Sequence, residues 1–167
     1  MSEWGKVDSR YLREVSGLKR IFKVYNYDQK GAHLTDKNVR EFMLSNLRAM
    51  KNTLTEIMGL AFRETDDSAK AIKKVRDDMD VAMDEIVSLN FWKFPESQMT
   101  LEKILKADMI LLNNIEIMKK SVNIIYTQVL ASKIGSNILV KAENLRKTLN
   151  EFRAVFLERS EAIRIKK

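Results

Sequence analysis

Apolar residues recur at steps of three and four along nearly the whole chain, the period of a helix face turned towards a core. Leu12, Val15, Leu18, Phe22 and Tyr25 mark a first helix over about residues 8–27. The stretch "DQKGAHLTD" breaks it, with Gly31 as punctuation. Thr35 is the expected N-cap of a second helix, with Leu34 and Val39 as a hydrophobic staple across it. That helix carries Val39, Met43, Leu47, Met50, Leu54, Ile57 and Ala61, a heptad-like seam. "ETDDS" ends it and offers Asp67 or Ser68 as the next cap. A third helix carries Ile72, Val75, Met79, Met83, Ile86 and Leu89 and stops before Pro95.

Thr100 is the expected cap of a fourth helix, whose seam runs through Leu101, Ile104, Leu111, Ile115, Met118, Val122, Ile125 and Val129. Asp108 interrupts that seam. The expected place for its carboxylate is the seam's edge, paired with a neighbouring Lys or Arg. Gly135 closes the helix, and a fifth helix follows with Ile138, Ala142, Leu145, Leu149, Phe152 and Phe156. Each helix spans about 30–50 Å at about 1.5 Å per residue. The expected fold is all-α: an elongated antiparallel up-down bundle of about five helices, in one domain over residues 1–167.

Composition agrees with this picture. One Pro and five Gly in 167 residues leave room for long helices. No Cys is present, which removes disulfides, thiol catalysis and Cys-ligated zinc, and fits a reducing cytoplasm. The opening "MSEWGKVDSR" has no apolar run of a signal peptide, so a cytoplasmic location without a membrane span is expected. The net charge of +7 sits at the two ends. Residues 1–40 hold 9 Lys/Arg against 5 Asp/Glu, residues 41–135 hold 13 against 14, and residues 136–167 hold 8 against 4. Basic ends fit an acidic partner, anionic lipid or nucleic acid, and equally a solubilising role.

Candidate chemistry is sparse. No dinucleotide-binding glycine pattern, P-loop or hydrolase elbow occurs. The single His, His33, falls in an expected loop, and no Ser is recognisably placed beside a base. The expectation is therefore a protein that is not an enzyme and needs no cofactor. Five acids crowd between Asp77 and Glu85, and Asp80 and Asp84 stand one turn apart, a weak candidate for a metal pair. Asp77, Asp78 and Glu85 are expected to face water. Lys73 with Asp77, Lys74 with Asp78 and Arg76 with Asp80 are i, i+4 pairs that favour a solvated helix face instead of a metal. Phe91, Trp92 and Phe94 form either a small docking site or a cap on the core.

"DDSAKAIKKVRDDMDVAMDEIVSL" resembles the middle helix of a PhoU domain, the repeat of phosphate-uptake regulators, with Asp66, Ala69, Val75, Met79, Asp80 and Ile86 in the family's order. "LEKILKADMILLNNIEIMKKSVNIIY" is similar to that repeat's last helix. The resemblance covers about residues 35–133, one three-helix repeat where such proteins usually carry two, flanked by helices over about 8–27 and 136–165. The family's metal motifs are Glu/Asp-x-x-x-Asp on each of these helices. Here Arg76, Ile115 and Lys119 stand at three of the four acid positions and only Asp80 remains. The resemblance thus implies a PhoU-like bundle without the metal cluster. Asp80 is then expected to pair with Arg76 or, across the bundle, with Lys119. The function it implies is a regulator or adaptor that binds another protein, in phosphate transport or signalling. The full apolar seams of the first and fifth helices add the expectation of a dimer or higher homo-oligomer. The alternative is a helical subunit on nucleic acid, in which Arg146, Lys147, Arg153, Arg159, Arg164, Lys166 and Lys167 contact phosphates. Arg146 and Arg153 share a helix face; Lys147 and Arg159 do not join them.

Overall fold

The computed structural model describes residues 17–22, 25, 27, 30–61, 66–88, 97–131 and 136–163. Residues 17–21 are helical (α1). Four long helices follow: α2 (Ala32–Ala61), α3 (Asp66–Ser88), α4 (Gln98–Leu130) and α5 (Ser136–Ile163). Among the described residues no strand occurs, and the all-helical bundle is as the periodicity predicts.

The helix ends depart from expectation in ways that local chemistry explains. The first helix does not run to residue 27: Phe22, Tyr25 and Tyr27 are outside it. They are buried nonetheless, because their rings pack on one another and on α2; Phe22 meets Phe42 edge-on at 5.3 Å. The second helix begins at Ala32, so Thr35 is buried in its first turn, where its N–H donates to the Gly31 carbonyl at 2.9 Å. Leu34 is 45% exposed and staples nothing across that turn. Asp67 and Ser68 likewise lie inside α3, which starts at Asp66. The cap of α4 is Ser97, not Thr100. Its hydroxyl accepts from the Thr100 N–H at 3.1 Å, which satisfies one of the orphan donors of the first turn. α4 ends on Ala131; Gly135 lies outside the described residues.

The seams meet as a four-helix core. α2 packs on α3 and α4, and α5 packs on the same two. The pairs α2/α5 and α3/α4 therefore stand on the diagonals. Going up α2 from Arg40 to Lys51, the partners on α3 fall from Ile86 to Asp80, so these two helices are antiparallel. The pairs Asp78–Arg146 and Glu85–Arg153 share one offset, 68 residues, so α3 and α5 run parallel. The expectation that sequence neighbours pack antiparallel holds for α2–α3 and α4–α5 and fails for α3–α4. Acids one heptad apart on α3 match arginines one heptad apart on α5, and this match fits α3 beside α5. The N-terminal ends of α2 and α4 and the C-terminal ends of α3 and α5 thereby gather at one end of the bundle.

Candidate functional site

At that end the core is not apolar. Four charged side chains, Asp36 and Arg40 of α2, Asp108 of α4 and Arg159 of α5, are buried together. Arg159 is at the centre, its side chain wholly out of solvent. Its Nε donates to Asp108 Oδ1 at 2.5 Å, Nη1 to Asp36 Oδ1 at 2.7 Å and Nη2 to the Tyr27 hydroxyl at 2.9 Å. The hydroxyls of Tyr25 and Tyr27 donate to the other Asp108 oxygen at 2.9 and 2.5 Å. Arg40 Nε donates to Asp36 Oδ2 at 2.9 Å, and its Nη1 to the Ile86 carbonyl at 2.6 Å. That carbonyl lies in the last turn of α3 and has no acceptor role left within the helix. The Arg40 guanidinium also stands 5.4 Å from the centre of the Phe156 ring.

Two acids and two bases make the cluster neutral, which burial demands. Each of the four carboxylate oxygens has a donor. Burial raises the Tyr25 and Tyr27 phenols well above their usual value, with Asp108 adding to the rise at both and Arg159 opposing it. Burial would pull Arg159 down, but Asp108, Tyr27 and Asp36 more than reverse this, so it stays charged. Burial lowers Arg40; Asp36 opposes the shift and the nearby Arg159 adds to it. Arg40 Nη2 is buried with no hydrogen-bond partner. Chemically, the cluster offers no acid or base with a free valence towards solvent. It ties α2, α4, α5, the end of α3 and the segment after α1 into one knot.

Asp108 is therefore not at the seam's edge, and its cation comes from another helix, 51 residues away. Arg159, expected on phosphates, is inside the bundle and unable to reach one. The acid run on α3 is also corrected. Asp80 pairs with Lys51 of α2 at 2.5 Å, not with Arg76 or Lys119. Arg76 turns to Asp77 at 3.4 Å, and Lys119 to Glu116 at 3.5 Å. Asp77 takes Lys73 at 2.7 Å as the i, i+4 spacing predicts, and that hydrogen bond holds its carboxyl below the usual range. Asp78 and Glu85 are only partly exposed. They face α5, where Arg146 reaches Asp78 at 2.6 Å and Arg153 grips Glu85 with two bonds of 3.0 and 2.7 Å. The hydrogen bond to Glu85 raises Arg153 against the pull of burial. Asp84 is exposed, on the far side of the helix from the buried stripe. Among the described residues no three His, Cys, Asp or Glu side chains converge as metal ligands. Trp92 and Phe94, with Phe91, lie outside the described residues.

Beside the knot, α4 and α5 enclose an open groove of about 680 Å³ lined by Lys103, Ala107 and Ile110 on one side and Val155, Glu158 and Ala162 on the other. From this groove a row of exposed isoleucines continues along α4: Ile110, Ile117 and Ile124, between 37 and 50% exposed, one heptad apart. Among the described residues no helix is long and apolar enough to cross a membrane. No family model, no curated protein and no solved structure matches this chain.

Proposed function

We propose that this chain is a non-enzymatic regulatory or adaptor bundle that acts by binding protein, with PhoU-like regulation of phosphate transport or signalling, on the resemblance of its middle helices, as the setting, and the cytoplasm as its location. The observation that carries the reading is the isoleucine row on α4. Large apolar side chains at heptad spacing on an outer face are what a protein surface covers, whereas a solvated helix places charges there. At the C-terminal end of the row, residues 121–132 contain no charged side chain, in a chain that is 32% charged, and low charge suits a protein interface. The ionisable groups inside the bundle are engaged with one another, which leaves binding as the task that fits the geometry.

The nucleic-acid alternative is less well supported, since Arg159 is buried and Arg146 and Arg153 are each paired with an acid. Affinity capture of the full chain from its native cells, beside a variant with Ile117→Asp and Ile124→Asp, tests the reading. The expected result is protein retained by the native chain and lost with the variant. Retention of nucleic acid by both, falling steeply with salt, would overturn it.

A further inference from the structure

From the row on α4 we infer that the surface it serves is a second copy of the same chain, laid antiparallel about a two-fold axis at Ile117. This rests on the reading that the row binds protein and names the protein.

The row belongs to a longer seam. Lys103, Ile110, Ile117, Ile124 and Ala131 follow one another at heptad spacing and are all exposed, while Ala107 and Asn114 between them are buried within the bundle. An isologous pairing needs a patch that maps onto itself when reversed. Three isoleucines one heptad apart do so: Ile117 meets Ile117, and Ile110 meets Ile124 of the other copy. Charge then chooses the direction. A parallel copy would set Lys103, Lys106 and Lys120 each opposite its own duplicate, three like-charge contacts along the seam. The antiparallel copy sets them opposite Ala131, Gln128 and Asn114, all neutral.

The size is sufficient. The seam from Lys103 to Ala131 is about 42 Å long at about 1.5 Å per residue, and with the adjoining flank of α5 it is about 20 Å wide. The strip thus covers about 800 Å² per copy, the area of a standard specific interface.

The absence of native cysteine makes the geometry directly testable. Ile117 is 42% exposed, so Ile117→Cys leaves the core untouched, and circular dichroism confirms each variant's fold. Under diamide, which is reduced as the two thiols are oxidised, Ile117→Cys should convert most of the chain to a covalent dimer. Ile110→Cys should not, since its two copies stand 14 residues, about 21 Å, apart along the paired helices. Mixing Ile110→Cys with Ile124→Cys should restore the cross-link. Cross-linking of both single variants alike would mean a parallel pair and would overturn the register. A chain that sediments at 19.4 kDa and gives no cross-link would overturn the second copy altogether. If capture of another protein still depended on Ile117 in that case, the row would keep its role and only its occupant would be wrong.

Discussion

Oppositely charged side chains join different helices of the bundle in two settings, in the core and at the rim, and the two are built differently. At one end Asp36, Arg40, Asp108 and Arg159 are sealed in the core. Along the α3–α5 and α2–α3 seams, Asp78–Arg146, Glu85–Arg153 and Lys51–Asp80 sit at the rim, with side chains 21–46% exposed. The chemistry is the same; the solvent is not. At the rim, water answers either charge if its partner leaves, so each pair adds little stability and acts mainly to set which helices lie side by side. In the core nothing replaces a lost partner, so the cluster is weak evidence for net stability and strong evidence for a fixed arrangement. Removing one member there should cost far more than removing one at the rim.

The largest effect is expected at Arg159. Arg159→Met leaves Asp108 and Asp36 buried without their shared cation and should destabilise the protein by about 3–5 kcal/mol. Urea unfolding followed by circular dichroism reads this directly, and a loss below about 1 kcal/mol would place the cluster with the rim pairs.

Next in size is an alkaline limit. Tyr25 and Tyr27 have folded-state pKa values raised well above the usual value near 10. Their contribution to stability is fully present below pH of about 10, where the unfolded chain also keeps its phenols protonated. Above that the unfolded chain ionises first, and the contribution is lost as pH climbs towards the folded values. Denaturation midpoints should therefore fall more steeply above pH of about 10 in the native chain than in a Tyr25→Phe, Tyr27→Phe variant. Equal slopes in the two would count against burial of the phenols.

At the rim, Arg153→Ala removes a two-bond grip on Glu85 and should cost about 1 kcal/mol or less. Arg146→Ala, at a more exposed single contact, should cost a few tenths, about 0.2–0.5 kcal/mol, and the loss should shrink further in high salt. If either rivalled Arg159→Met, the contrast between the two regions would be broken.

Much of the fold was legible because a helical seam is a local property. Periodicity alone places all four long helices, and even the buried cluster left a trace in it. Asp108 occupies the seam step between Ile104 and Leu111, Asp36 the step between Ala32 and Val39, and Arg159 the step between Phe156 and Ile163. These two acids and one base on three different seams, with Arg40 beside Val39, form a neutral set, and that match was available as a signal. Three things were not legible. Which seams face each other depends on the α3–α4 diagonal, so Asp78 and Glu85 were expected in water or on their own helix, and Asp80 on Arg76 or, across the bundle, on Lys119 instead of Lys51. Tyr25 looked like the next residue of a helix face, whereas it and Tyr27 stand outside any helix and their hydroxyls serve Asp108. The helix starts moved by two to four residues; at α4, Ser97 and Thr100 are both competent caps and only the chain's path chooses between them.

The most direct test of the buried knot is a double-mutant cycle between Asp108→Leu and Arg159→Met, read as unfolding free energies in urea. If the two side chains are the centre of one sealed network, each single variant strands charge in the core and the double variant does not. The losses should then be far from additive, with a coupling of about 2–3 kcal/mol. Additivity within about 0.5 kcal/mol would contradict the account, because two residues that act independently cannot be the pair that holds this end of the bundle together.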